Sequence, residues 1–148
     1  MSEHTFSNQL CHSFYQVNKL FNQFYLKNLK DFDLTYTQYL VLLVLWEKSP
    51  INLKELGETL DLASNTLTPL LKRLEDKGYI TRLVPEKDKR KLIIDITEKG
   101  EMLQNKLEEK LINCFHQLEG LTAEKTKIYI DNNKKMIDRL QKYLNKEK

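Results

Sequence analysis

With 148 residues, 41% hydrophobic and 30% charged, the chain is long enough to close one core and too apolar to be disordered. The net charge of +3 says little alone, but residues 63–91 hold eight basic residues against four acidic ones, an excess larger than that of the whole chain. A basic surplus confined to one segment is the electrostatic footprint of a nucleic-acid binder. The apolar run at residues 39–46 falls far short of the roughly 20 residues that span a membrane, and the polar N-terminus lacks a basic-then-apolar leader pattern. A cytoplasmic location is expected, where the two cysteines rest as thiols.

In chain order, residues 7–28 predict an amphipathic helix with Leu10, Phe14, Val17, Phe21 and Phe24 on one face. A second stripe beside it holds Cys11, Tyr15 and Tyr25, which lie within about 40° of a common line at ~100° per residue. Packing alone explains such a stripe. Thr35 with Gln38 predicts a capping box for a helix over 36–47, apolar almost all round and so expected at the buried centre. Ser49 and Pro50 end it, and Ile51 is expected to add a single-residue strand to a small sheet. Asn52, with Glu55 three residues on, opens the next helix on a stripe of Leu53, Leu56 and Leu60.

Asp61 and Leu62 make a turn. Leu67, Leu70, Leu71 and Leu74 then stripe a second helix, with Ser64, Asn65, Thr66, Thr68, Lys72 and Arg73 on its outer face. Pro69 is expected early in this helix, where its missing N–H costs little, and Gly78 closes it. Strand-like residues 79–84 and 91–96 flank a charged loop at 85–90. Thr97 caps a long helix over 98–118, Gly120 breaks it, and Thr122 caps a last helix over 123–144; residues 146–148 are expected to fray.

The predicted fold is mainly α with a small β wing: a winged helix-turn-helix in a single domain over 1–148, its reading head at about 51–97. The helices at about 7–30 and 98–145 carry more apolar surface than this head covers, so a homodimer through the N- and C-terminal helices is expected. Hydroxyl, amide and cationic groups on the outer helix face meet base edges and phosphates. Lys87, Lys89, Arg90 and Lys91 crowd a wing suited to a narrow minor groove. Double-stranded DNA is therefore the expected partner.

Catalytic chemistry is missing. The sequence contains no Gly-rich phosphate loop, H-E-x-x-H, G-x-S-x-G or C-x-x-C, so no enzymatic activity and no cofactor are expected. Cys11-His12 and Cys114-x-His116 supply zinc-type ligands, but adjacent helical residues point about 100° apart. The three histidines, His4, His12 and His116, read as exposed side chains, and no metal is expected.

Asp88-Lys89-Arg90 matches the D-x-R wing motif, and with the helix order the chain resembles the MarR family of transcriptional regulators along nearly its whole length. Leu67-Thr68-Pro69-Leu70-Leu71-Lys72-Arg73 and Leu34-Thr35-Tyr36-Thr37-Gln38-Tyr39 are similar to the branch that contains OhrR, SarZ and MgrA, and Cys114 resembles the second cysteine of its two-cysteine, redox-sensing type. The resemblance implies a repressor of a palindromic operator, with the second helix in a major groove, Arg90 in the minor groove and Asp88 orienting the wing. Ala63-Ser64-Asn65-Thr66 departs from the D-S-G-T usual there. It also implies that Cys11 is oxidised by organic hydroperoxides, hydrogen-bonded by Tyr25 and Tyr36 with Tyr15 a further neighbour, and that Cys114 of the partner subunit resolves it in an intersubunit disulfide.

A geometric check agrees with a shared site. On one straight helix Cys11 and Tyr25 lie roughly 21 Å apart, so they meet only if a second chain supplies the tyrosine. Packing of Cys114 between Ile112 and Phe115 remains an alternative for that residue. Two further readings stand beside the redox switch: release by a small phenolic ligand, with Tyr36, Tyr39 and Trp46 lining its pocket, and a protein-interaction adaptor that does not bind DNA.

Overall fold

A computed structural model describes residues 3–146, with all side chains in that range except those of residues 3, 4, 6 and 7. The side chain of His4, and Glu147 and Lys148 where fraying was expected, lie outside the described residues. The order is α1 (Glu3–Leu29), a single 3-10 turn (Lys30–Phe32), α2 (Tyr36–Lys48), β1 (Ile51–Asn52), α3 (Leu53–Leu60), α4 (Ser64–Asp76), β2 (Ile80–Leu83), β3 (Ile93–Ile96), α5 (Glu98–His116) and α6 (Ala123–Asn145). Two compact units divide the chain, residues 1–108 and 109–148.

In the first unit α2 is the central element, packed against α1, α3, α4 and β3. Its capping box forms as expected: Gln38 N donates to Thr35 Oγ1 at 3.2 Å, and Thr35 N donates to Gln38 Oε1 at 3.0 Å. Val41, Leu42 and Leu45 are buried, and so are Leu56, Leu67, Leu71, Leu74, Ile80 and Ile94 around them. Each such side chain contributes about 1.5–3 kcal/mol by leaving water. The sheet runs β1-β3-β2, all antiparallel, with Ile51 opposite Ile94 and Ile80 opposite Ile96. Ile51 thus pairs as expected, but β1 has two residues.

Boundaries differ from the expectations in places. α1 starts at Glu3 instead of residue 7, and both wing strands are shorter, because pairing on β3 stops at Ile93. α5 ends at His116, two residues early. The second unit holds the end of α5, the Gly120 turn at φ 77° and α6, opened by Thr122 Oγ1, which accepts from Lys125 N at 3.2 Å. No α6 residue is buried among those described. No helix among the described residues is long and apolar enough to cross a membrane.

Candidate nucleic-acid interface and thiol site

The reading helix is placed by the turn before it. Asn52 Oδ1 accepts from Glu55 N at 2.8 Å, starting α3. Asp61 ends α3 in the left-handed region at φ 54°, and Leu62 N donates to Gly57 O at 2.9 Å. A Cβ on Gly57 would stand 2.7 Å from Leu62 O, so only glycine lets the chain fold back this tightly. Gly57 was missed in the sequence, although a glycine inside a helical stripe just before a turn was the signal for it.

α4 then buries Leu67, Leu71 and Leu74 and leaves Ser64, Asn65, Thr66, Thr68, Pro69, Lys72 and Arg73 exposed together. Thr68 Oγ1 donates to Ser64 O at 2.8 Å, so its proton is engaged and its lone pairs face outward. Ala63, at the N-cap, makes no side-chain cap. Gly78, at φ 84°, closes the helix with Tyr79 N on Leu74 O at 3.0 Å and Gly78 N on Glu75 O at 2.9 Å, a Schellman pattern. Pro69 lies early in α4 as expected, but past its first turn, so it deletes the amide that would bond the Asn65 carbonyl.

The wing is held by its own motif. Asp88 Oδ1 accepts from Arg90 N at 3.1 Å and pairs with Arg90 Nε at 3.5 Å, while the Arg90 side chain stays 94% exposed. Lys87, Lys89 and Lys91 are exposed around it. Two cations of the basic segment do other work. Arg82 joins β2 to α4, its NH2 group 3.1 Å from Glu75 Oε1 and its backbone N donating to Glu75 Oε2 at 3.1 Å. These bonds hold the Glu75 carboxyl below its usual range, the Arg82 side-chain hydrogen bond foremost. Lys77 pairs with Asp33 at 3.4 Å. Charge counting along the sequence could not separate these two from the outward set.

Cys11, on α1, is exposed; Cys114, on α5, is half-buried; both are thiols. Tyr25 and Tyr36 come together as expected, with ring centroids 4.4 Å apart, and Tyr39 joins them 6.0 Å from Tyr25. Burial pushes the Tyr25 phenol up to about 12, helped by Tyr36 and then Tyr39. Burial also raises Tyr36, and raises Tyr39 with help from Glu108 and Tyr36. All three therefore keep their O–H protons near neutral pH and serve as donors, the form that stabilises a thiolate. Tyr39 was read only as core or pocket lining, yet it belongs to this cluster. Tyr15 does not: it is 63% exposed and stacks on His12 at 6.3 Å, about 15 Å along α1 from Tyr25.

A family model described as the transcriptional regulator SarA/Rot matches residues 23–107. The HTH-type transcriptional regulator SarZ of Staphylococcus aureus (strain MRSA252) is 45% identical over 111 residues, 75% of this chain and 75% of SarZ. Among solved structures, AbfR of Staphylococcus epidermidis is similar in two states. Reduced AbfR bound to DNA superposes with TM-score 0.81 at 44% identity, over 93% of this chain and 96% of that one. Disulfide-formed AbfR superposes with TM-score 0.71 at 43% identity, over 95% and 94%. These relatives are regulators and not enzymes. The chain belongs to the SarA/Rot family of transcriptional regulators, of SarZ and AbfR type, built on a MarR-like winged helix-turn-helix.

Proposed function

We propose that this regulator is a homodimeric repressor that holds a palindromic operator while reduced and lets it go when oxidised Cys11 is joined by a disulfide to the partner subunit's Cys114. One observation carries the DNA reading: the polar residues of α4 are exposed together, and Arg90 is exposed on a wing held by Asp88. Ser64, Asn65, Thr66, Thr68 and Pro69 meet base edges, Lys72 and Arg73 meet phosphates, and Arg90, flanked by Lys89, enters the minor groove. A dimer sets two such heads ~34 Å apart, one turn of duplex. DNA-bound reduced AbfR supports this by similarity.

The switch follows from the thiol chemistry. The Cys11 thiolate attacks the outer oxygen of a hydroperoxide, giving sulfenic acid and releasing an alcohol. The partner subunit's Cys114 thiol then displaces water, and the two sulfurs end as a disulfide. Tyr25 and Tyr36, kept protonated by burial, donate to the thiolate of the opposite chain. Disulfide-formed AbfR supports this outcome by similarity. Tyr39 meets Trp46 edge-on with ring centroids 6.4 Å apart, and Trp46 Nε1 donates to Gly100 O at 3.0 Å, contacts that support packing as the role of these aromatics.

Non-reducing electrophoresis after an organic hydroperoxide tests the switch, paired with operator binding on the same samples. A covalent dimer and lost operator affinity are expected for the natural chain, and neither for Cys11→Ser. Cys114→Ser should stop at the sulfenic acid, with no covalent dimer. A covalent dimer that forms equally well without Cys11 would overturn the mechanism.

A further inference from the structure

Where the end of α1 and the turn after it face the C-terminal half of α4, the first unit has a cleft of about 830 Å³, within the ~300–1,000 Å³ of small-ligand sites. Four cations line it, Lys27, Lys30, Arg73 and Lys77, against one carboxylate, Asp33. They come from two stretches more than forty residues apart in sequence, 27–30 and 73–77, which the fold brings together. Lys77 is engaged with Asp33 through the ion pair at 3.4 Å and through the Asp33 carbonyl. Among the described residues Lys27, Lys30 and Arg73 are in no ion pair.

Like charges converging in a concave site focus a positive potential. A phosphoryl group matches it, with nearly two negative charges and acceptor oxygens for several N–H donors at once. Thr35, also in the lining, caps α2, whose N-terminal dipole end adds to the attraction. Arg73 belongs both to the cleft and to the outer face of α4. A group bound here therefore touches the reading surface.

The geometry points to a phosphoryl-binding site formed by Lys27, Lys30 and Arg73, which takes either a free organic phosphate or the backbone of DNA flanking the operator. The second source rests on the DNA reading above; the first does not. Isothermal titration of the reduced full chain with inorganic pyrophosphate, without DNA, addresses the site directly. A free-phosphate site gives saturable binding that weakens at least tenfold in Lys27→Gln/Lys30→Gln. It strengthens severalfold in Asp33→Asn, which removes the competing carboxylate. Asp33 is left-handed at φ 52°, a conformation asparagine adopts readily, so the gain cannot come from misfolding.

Duplex affinity against salt is the second arm. If the backbone is the source, Lys27→Gln/Lys30→Gln lowers the slope of log K on log salt by about 2 on any sequence, while thermal unfolding is unchanged. A chain that binds no duplex at all sinks the DNA reading and leaves calorimetry to decide the cleft. Pyrophosphate that is not bound, or is bound indifferently to all three substitutions, together with an unchanged salt slope, overturns the site.

Discussion

In the reading head the apolar stripes are packed: Leu56, Leu67, Leu71, Leu74, Ile80 and Ile94 are each at most 1% exposed. In the terminal helices stripes of the same period are bare. Leu10, Phe14, Val17 and Leu20 of α1, and Ile130, Ile137, Leu140 and Leu144 of α6, are between 40% and 62% exposed. Periodicity states which face of a helix is apolar, not what covers it. The head closes within one chain because a glycine turn and two cross-strand registers bring its stripes together. The terminal stripes have the composition of an interface, and a second copy of the chain is the cover proposed for them.

Core truncation should separate the two regions most sharply. Leu71→Ala empties a fully buried site and should cost about 2–5 kcal/mol, read as a lower urea midpoint at any protein concentration. Ile137→Ala/Leu140→Ala removes half-exposed side chains. It should instead lower the mass in sedimentation equilibrium toward that of one chain, with a melting midpoint that depends on concentration. An unchanged mass would mean that α6 is not the seam and that its stripe serves something else.

The wing offers a finer test within the head. Asp88→Ala removes an exposed contact, the Arg90 side chain being 94% exposed, so stability should move by less than about 0.5 kcal/mol. Deleting a carboxylate also adds positive charge, and charge alone would tighten duplex binding. A loss of affinity, expected at about tenfold or 1.4 kcal/mol, therefore isolates orientation of Arg90 from its charge. Arg90→Ala should lose as much and lower the salt slope by about 1. Tighter binding by Asp88→Ala would reduce the wing to a diffuse basic patch.

Local chemistry was legible in the sequence wherever a side chain acts on its own neighbourhood. The Thr35–Gln38 box, the Asn52 and Thr122 caps, the Gly78 stop and the outward face of α4 all form as the residues dictate. Long-range pairings were not legible. Nothing in the order of residues says that Arg82 returns to Glu75 or Lys77 to Asp33, because such partners are set by how α4 lies on β2 and on the turn after α1. Tyr39 was hidden for the same reason: it enters the tyrosine cluster only when α2 lies against α1.

Tyr25 stands at the border of the two regions, half-buried where α1 meets α2 and just beyond its bare half. Its phenol is raised from 10.0 to about 12, mainly by burial. A group whose folded pKa is raised contributes stability that is complete below its unfolded value and lost as pH rises through the folded one. Stability should therefore fall between about pH 10 and pH 12 as the unfolded chain ionises this phenol before the folded one does. Tyr25→Phe keeps the ring against Tyr36 and removes the proton, so the difference between its urea midpoints and those of the natural chain should shrink over that window. A constant difference would mean that water already reaches the hydroxyl. The donor credited with holding the Cys11 thiolate would then belong to the bare region rather than the packed one.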